Sequence, residues 1–134
     1  MALMSFQQLR IVEDLLMQIR ESIHNLELWN DSITDVEELL TSPEGMKTLA
    51  ADCMLIEAIG EGVKRVDERT HQQLLPLRPE IPWKAVKGMR DHIAHGYFDI
   101  NTDLVWDVVK NDLPPLRSAI DFFIDNLYEI IDYE

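Results

Sequence analysis

Residues 6–26 read FQQLRIVEDLLMQIRESIHNL. Within them Phe6, Leu9, Val12, Leu16, Ile19, Ile23 and Leu26 recur at steps of three and four. That spacing lays one apolar stripe along a helix of about six turns. Pro and Gly are absent from residues 1–42, so nothing breaks this helix early. Asn30 to Thr34 reads as a turn. Thr34 with Glu37 has the spacing of a capping box and predicts a short helix through Leu40.

The pattern repeats downstream. Ser42-Pro43-Glu44 is a start signal: an N-cap, a proline at the first helical position, then an acid. The stripe Leu49, Cys53, Ile56, Ile59, Val63, Val66 follows, which places Cys53 in core packing rather than reactive chemistry. Gly60 and Gly62 each weaken a helix by about 1 kcal/mol relative to Ala, so close packing of another segment is expected there. Pro76, Pro79 and Pro82 punctuate a connector. Trp83 opens a helix predicted to run to about His95, with Gly96 as its stop. Asn101 or Thr102 caps a further helix carrying Leu104, Val105, Val108 and Val109. Pro114-Pro115 fits only a first turn, and a last helix carries Leu116, Ile120, Phe123, Leu127 and Ile131. No segment alternates with period two between hairpin turns, so the expected fold is all-α, a bundle of long and short helices.

Composition bounds the rest. The chain has 134 residues, 46% apolar, with 5 Gly and 6 Pro, which suits one domain over residues 1–134 and excludes disordered and low-complexity classes. One cysteine, Cys53, allows no intrachain disulfide and no Cys-based zinc cluster. Met1 to Arg10 lacks the pattern of a signal peptide, and charges interrupt every apolar run well short of ~18 residues. A soluble, cytoplasmic protein with no membrane partner is expected. The 25 acids against 12 bases, a net charge of −13, argue at first against a nucleic-acid partner.

One segment carries candidate chemistry. On a helical wheel over residues 83–95, Lys84, Lys87, Asp91 and His95 share one polar stripe, while Ala85, Val86, Met89 and Ile93 face the core. Arg90 lies about 140° from His95 on an ideal helix. The two converge only if the helix end unwinds near Gly96 or a second protomer supplies one of them. His gives and takes protons near neutral pH, and Arg offers a fork that matches phosphate oxygens. Together they suit phosphodiester cleavage in which a ribose 2′-OH attacks the adjacent phosphorus, with no metal or cofactor. The residues alone favour the plainer reading, in which Arg90 pairs with Asp91 or another acid and His95 merely ends a helix. His92 falls at the edge of the core face and is expected packed or hydrogen-bonded rather than metal-bound. His24 and His71 are expected at the surface, and Trp83 and Trp106 in the core or between helices.

Arg90-Asp91-His92-Ile93-Ala94-His95-Gly96-Tyr97 resembles the R-x4-H-x-Y signature of the HepT-like family, within the HEPN superfamily of small helical ribonucleases. Ile59-Gly60-Glu61 with Lys64, Pro79-Glu80-Ile81-Pro82-Trp83, Gly88-Met89-Arg90, His95-Gly96-Tyr97-Phe98, Val105-Trp106-Asp107 and Asp112-Leu113-Pro114 follow the family pattern in order, from Leu9 to Leu127. Gly62 departs from it, where the family usually has alanine. The resemblance implies a HEPN-type antiparallel helical bundle that is dimeric through its motif-bearing helices. It implies a ribonuclease toxin of a toxin–antitoxin module, cutting RNA at a composite site where two R-x4-H motifs meet. Arg90 and His95 would be catalytic, with Asp91 supporting them. The implied partner is an MNT-type nucleotidyltransferase antitoxin that can attach AMP to Tyr97. Phosphate groups added there would block RNA by occupancy and by like-charge repulsion. The alternative is a non-catalytic HEPN module that scaffolds a nucleotidyltransferase.

The placement of charge then matters more than its sum. Residues 1–62 carry 3 bases and 12 acids, and residues 98–134 carry 2 bases and 9 acids. Residues 63–97 carry 7 bases and 4 acids. The one positive stretch therefore ends in the motif, and an RNA substrate is expected there and no DNA partner.

Overall fold

The computed structural model describes residues 4–96 and 98–133. Its helices are α1 (Phe6–Asn30), α2 (Pro43–Arg69), α3 (Trp83–Lys87), α4 (Met89–Ile93), α5 (Thr102–Asp107) and α6 (Leu113–Ile130). Short 3-10 segments span Val36–Leu39 and Leu75–Leu77, and a π-helical turn spans Val108–Asp112. Among the described residues the strand-like pairings are two isolated ones, Met4 with Tyr133 and Ala94 with Ile100. The all-α expectation holds.

A reciprocal box starts α1: Ser5 Oγ accepts from the Gln8 N–H at 3.1 Å, and Gln8 Oε1 accepts from the Ser5 N–H at 2.9 Å. The stripe from Leu9 to Leu26 is buried throughout. Phe6 is not; it lies at the surface, its ring 5.7 Å from that of Tyr128 and 5.9 Å from that of Tyr133. Side-chain pairings show that α1 runs antiparallel to both long helices. Toward α2, the end of α1 meets the start of its partner, with Asn30 bonded to Asp52 at 2.8 Å, while Ile19 lies against Gly62. Toward α6, Glu27 pairs with Arg117 at 2.7 Å and Glu13 accepts from Tyr128 at 3.4 Å.

The α1–α2 connection differs by one residue from the expected cap. Asp35, not Thr34, caps the 3-10 segment, and Glu38, not Glu37, closes the box. The Glu38 carboxylate accepts from the Thr34 and Asp35 N–H groups and from the Thr34 hydroxyl, so one acid serves three donors. Those backbone bonds hold its carboxyl below the usual range. At the start of α2, Ser42 Oγ accepts from the Gly45 N–H at 2.9 Å, and Pro43 follows the cap as expected. Both expected close approaches on α2 are present. A Cβ on Gly62 would come 2.8 Å from Ile19 Cγ1, and one on Gly60 would come 3.2 Å from the Val86 carbonyl oxygen.

One expected helix is corrected. The helix expected from Trp83 to His95 breaks at Gly88, which ends α3 and begins α4, and helix stops altogether at Ile93. Ala94 is extended (φ −156°, ψ 138°) and pairs with Ile100, while the Ile93 carbonyl accepts from the Asn101 N–H at 2.7 Å instead of continuing the helix. Val86, Met89 and Ile93 are buried as expected, but Ala85 and His92 are exposed. Further on, Pro114 and Pro115 sit in the first turn of α6 as expected, and α5, the π-helical turn and α6 follow one another without a gap. Pro114 and Pro115 have no N–H, so the carbonyls one turn earlier lose their usual donors, and the wider turn absorbs the defect. Asn101 Oδ1 accepts from the Leu104 N–H at 3.1 Å, so Asn101 is the cap of α5.

Trp83 is partly buried against Phe123, ring centroids 5.8 Å apart, and its Nε1 donates to the Arg78 carbonyl at 3.0 Å. Trp106 is also partly buried and carries the Lys110 ammonium over its ring. His24 and His71 are exposed, as expected. No helix among the described residues is long and apolar enough to cross a membrane.

Candidate active site

α2 is the floor on which the motif is mounted. Its Gly60 lets the end of α3 sit against the helix, because any side chain there would press on the Val86 and Lys87 carbonyls at 3.2 and 3.3 Å. Two ion pairs flank that contact. Lys87 at the end of α3 pairs with Asp67, one side of Gly60, and Arg90 in α4 pairs with Glu57 at 3.2 Å on the other. Glu57, Gly60 and Asp67 are three and seven residues apart, so they share one face of α2.

A groove of about 490 Å³ opens beside the Arg90 pair. Its wall is mainly small and apolar: Ala50, Ala51, Cys53 and Met54 from α2, with Ile93, Ala94 and Ile100 opposite. Arg90 and Glu57 supply its charges. Cys53 packs against the core as expected, and burial together with the Asp52 carboxylate pushes its thiol up to about 11. It is a thiol, not a thiolate nucleophile.

After Ile93 the chain forms a small loop out from this wall. The His95 N–H donates to the Asp99 carbonyl at 3.1 Å, and the Asp99 N–H donates to the Gly96 carbonyl at 3.2 Å. Gly96 has φ +143°, a conformation that side-chain-bearing residues rarely adopt. His95 and Asp99 are exposed, and Phe98 is 98% exposed. Tyr97 lies outside the described residues. His95 therefore belongs to a loop, not to the helical wheel, and the 140° divergence from Arg90 drawn on an ideal helix does not apply. Arg90 stands on the groove wall, Gly96 reaches its edge, and Asp91 is exposed in α4. Among the described residues no three His, Cys, Asp or Glu side chains gather as a metal would require.

The ion pair expected if Arg90 were purely structural exists, and the acid is Glu57. Sequence reasoning missed Glu57. Its position three residues before Gly60 could have singled it out, since both then face the segment that packs on α2. The positive stretch is also less free than its count implies. Lys64 pairs with Glu61, Arg78 with Glu80, Lys87 with Asp67 and Arg90 with Glu57. Arg65, Arg69 and Lys84 remain without an acidic partner among the described residues.

The described residues thus form an all-helical bundle with an Arg-x4-His segment beside a groove. Comparison with known proteins identifies the family. The family model described as Ribonuclease HepT-like matches residues 19–122. A protein named Probable ribonuclease HepT, from Thermococcus cleftensis, is 32% identical over 81% of this chain and 92% of its own length. Two proteins named Putative RNase, both from Methanocaldococcus jannaschii, are similar too. One is 35% identical over 60% of this chain and 64% of its own length; the other is 30% identical over 71% and 76%. No solved structure matches. The chain belongs to the HepT-like ribonuclease family, and its enzyme class is ribonuclease.

Proposed function

We propose that the protein is a ribonuclease toxin whose Arg90 and His95 cleave RNA without a metal. The carrying observation is the complete set Arg90, Asp91, His95 and Tyr97, in family order, in a chain whose Arg90 stands on a groove wall beside the exposed His95 loop. A ribose 2′-OH attacks the adjacent phosphorus and the bond to the 5′ oxygen of the next nucleotide breaks. His95 moves a proton at one of those oxygens, taking it from the 2′-OH or giving it to the leaving oxygen. The Arg90 guanidinium offsets the extra negative charge on the phosphorus centre in the transition state. Asp91 supports the pair by orientation. The products carry a 2′,3′-cyclic phosphate and a 5′-OH, so the atoms balance without water in this step.

The whole chain acts as one domain, and two copies join through the motif segments to form one composite site. An exposed His95 loop beside an apolar groove with Met54 at 73% exposure is a surface suited to being covered in that way. The partner that silences the toxin is an MNT-type nucleotidyltransferase, by AMP modification of Tyr97 within the cytoplasm. The test is co-expression. Growth inhibition by the parent should vanish for Arg90→Ala and for His95→Ala, and should be relieved by the partner together with a mass increase on Tyr97. If both substituted proteins inhibit growth as strongly as the parent, the assignment of Arg90 and His95 fails.

A further inference from the structure

We infer that Glu57 is the positioning residue for Arg90, holding its guanidinium at the groove so that the fork faces a substrate phosphate. The inference rests on the reading above that Arg90 serves RNA cleavage. Three observations carry it. Glu57 and Arg90 are the charged residues of the groove wall and meet at 3.2 Å. Gly60 brings the motif segment onto the same face of α2 that bears Glu57, so the pair follows from how the backbone is mounted. The two ion pairs that fasten the segment also differ in burial. Lys87 and Asp67 have 28% and 13% of their side chains exposed, whereas Arg90 and Glu57 have 64% and 44%.

That contrast separates fastening from aiming. A pair as exposed as Arg90–Glu57 adds little to stability, because water screens it and two long side chains must be ordered. Fastening therefore falls to the more buried Lys87–Asp67 pair. What the exposed pair does is restrict Arg90. A free arginine at the groove samples many rotamers, and one held by a carboxylate on one nitrogen keeps its remaining N–H donors turned outward. Glu57 also places a negative charge beside the path of an anionic substrate. It therefore weakens ground-state RNA binding while improving the geometry of the transition state, and the two effects split between KM and kcat.

The test uses the full chain and a single-stranded RNA oligonucleotide with fluorophore and quencher. Glu57→Gln should lower kcat by about tenfold with KM unchanged or lower, and should leave Tm within about 2 °C of the parent. Asp67→Asn should do the reverse, lowering Tm and keeping kcat. If Glu57→Gln keeps the parent's kcat while Arg90→Ala is inactive, Glu57 does not position Arg90 and the reading of Arg90 stands. If Glu57→Gln loses kcat only along with a Tm drop as large as that of Asp67→Asn, the pair is a fastening and the inference fails. If Arg90→Ala cleaves like the parent, the reading of Arg90 fails first.

Discussion

At the scale of single residues, the strongest departure from ordinary chemistry is buried where α1 meets α2. Asp52 is fully buried, and its Oδ1 accepts from Asn30 Nδ2 at 2.8 Å. Its Oδ2 and the Asn30 Oδ1 have no partner. With Asp52 ionised, both orphaned atoms are acceptors and neither can serve the other. A proton on the carboxyl supplies the missing donor. Burial pushes Asp52 up to about 7, against the opposing bond from Asn30. Its folded value thus lies above its unfolded one, so the stability it contributes is complete below about pH 4 and is lost as pH rises toward 7. The full loss is on the order of 4 kcal/mol. Asp52→Asn keeps the shape and provides a permanent donor. In urea titrations its unfolding midpoint should match the parent's below about pH 4 and exceed it increasingly up to about pH 8; a constant gap at both ends would contradict this account.

At the scale of elements, glycine sets the distances. A Cβ on Gly45 would lie 1.8 Å from the Glu38 carbonyl oxygen, so the first turn of α2 and the 3-10 segment touch through bare backbone. Gly45→Ala must push the two apart and should lower stability by about 2–3 kcal/mol, read from thermal unfolding. A neutral result would mean the connection moves freely. The periodicities of α1, α2 and α6 were legible because long amphipathic helices announce their buried face every three to four residues. The segment after Trp83 was not. Its apolar spacing is helical through Ile93, but the chain leaves the helix at Ala94 because Ile100 and Asn101 offer competing backbone partners. Those partners are local in space yet invisible to a periodicity argument. The same limit hid the Asp35–Glu38 box, where Thr34 and Glu37 have the same spacing. In the candidate site, Arg90, Asp91, His95 and Tyr97 were legible as a motif. The Arg90–Glu57 pair was not, since it joins residues 33 positions apart on different helices.

At the scale of the whole molecule, the acidic excess covers a bundle in which six of the 12 cations pair with an acid among the described residues. With Lys64, Arg78, Lys87 and Arg90 each held by an acid, long-range attraction for RNA should be weak, and on the proposed function affinity would come from the groove and the His95 loop. RNA binding should accordingly change little between low and moderate salt, with a slope of roughly one to two phosphates in a filter-binding titration. A steep slope would point to a larger basic surface. If two copies complete the site, light scattering should give twice the 15.6 kDa of one chain at the concentrations where RNA is cut. A monomer with full activity would rule out a composite site.

The chemistry of the cut ends decides whether Arg90 and His95 cleave RNA through 2′-OH attack. RNA incubated with the purified protein in EDTA should yield fragments with 2′,3′-cyclic phosphate and 5′-OH termini, and neither Arg90→Ala nor His95→Ala should produce them. Fragments ending in 3′-OH and 5′-phosphate, or the same cyclic ends from both variants at the parent's rate, would contradict that mechanism.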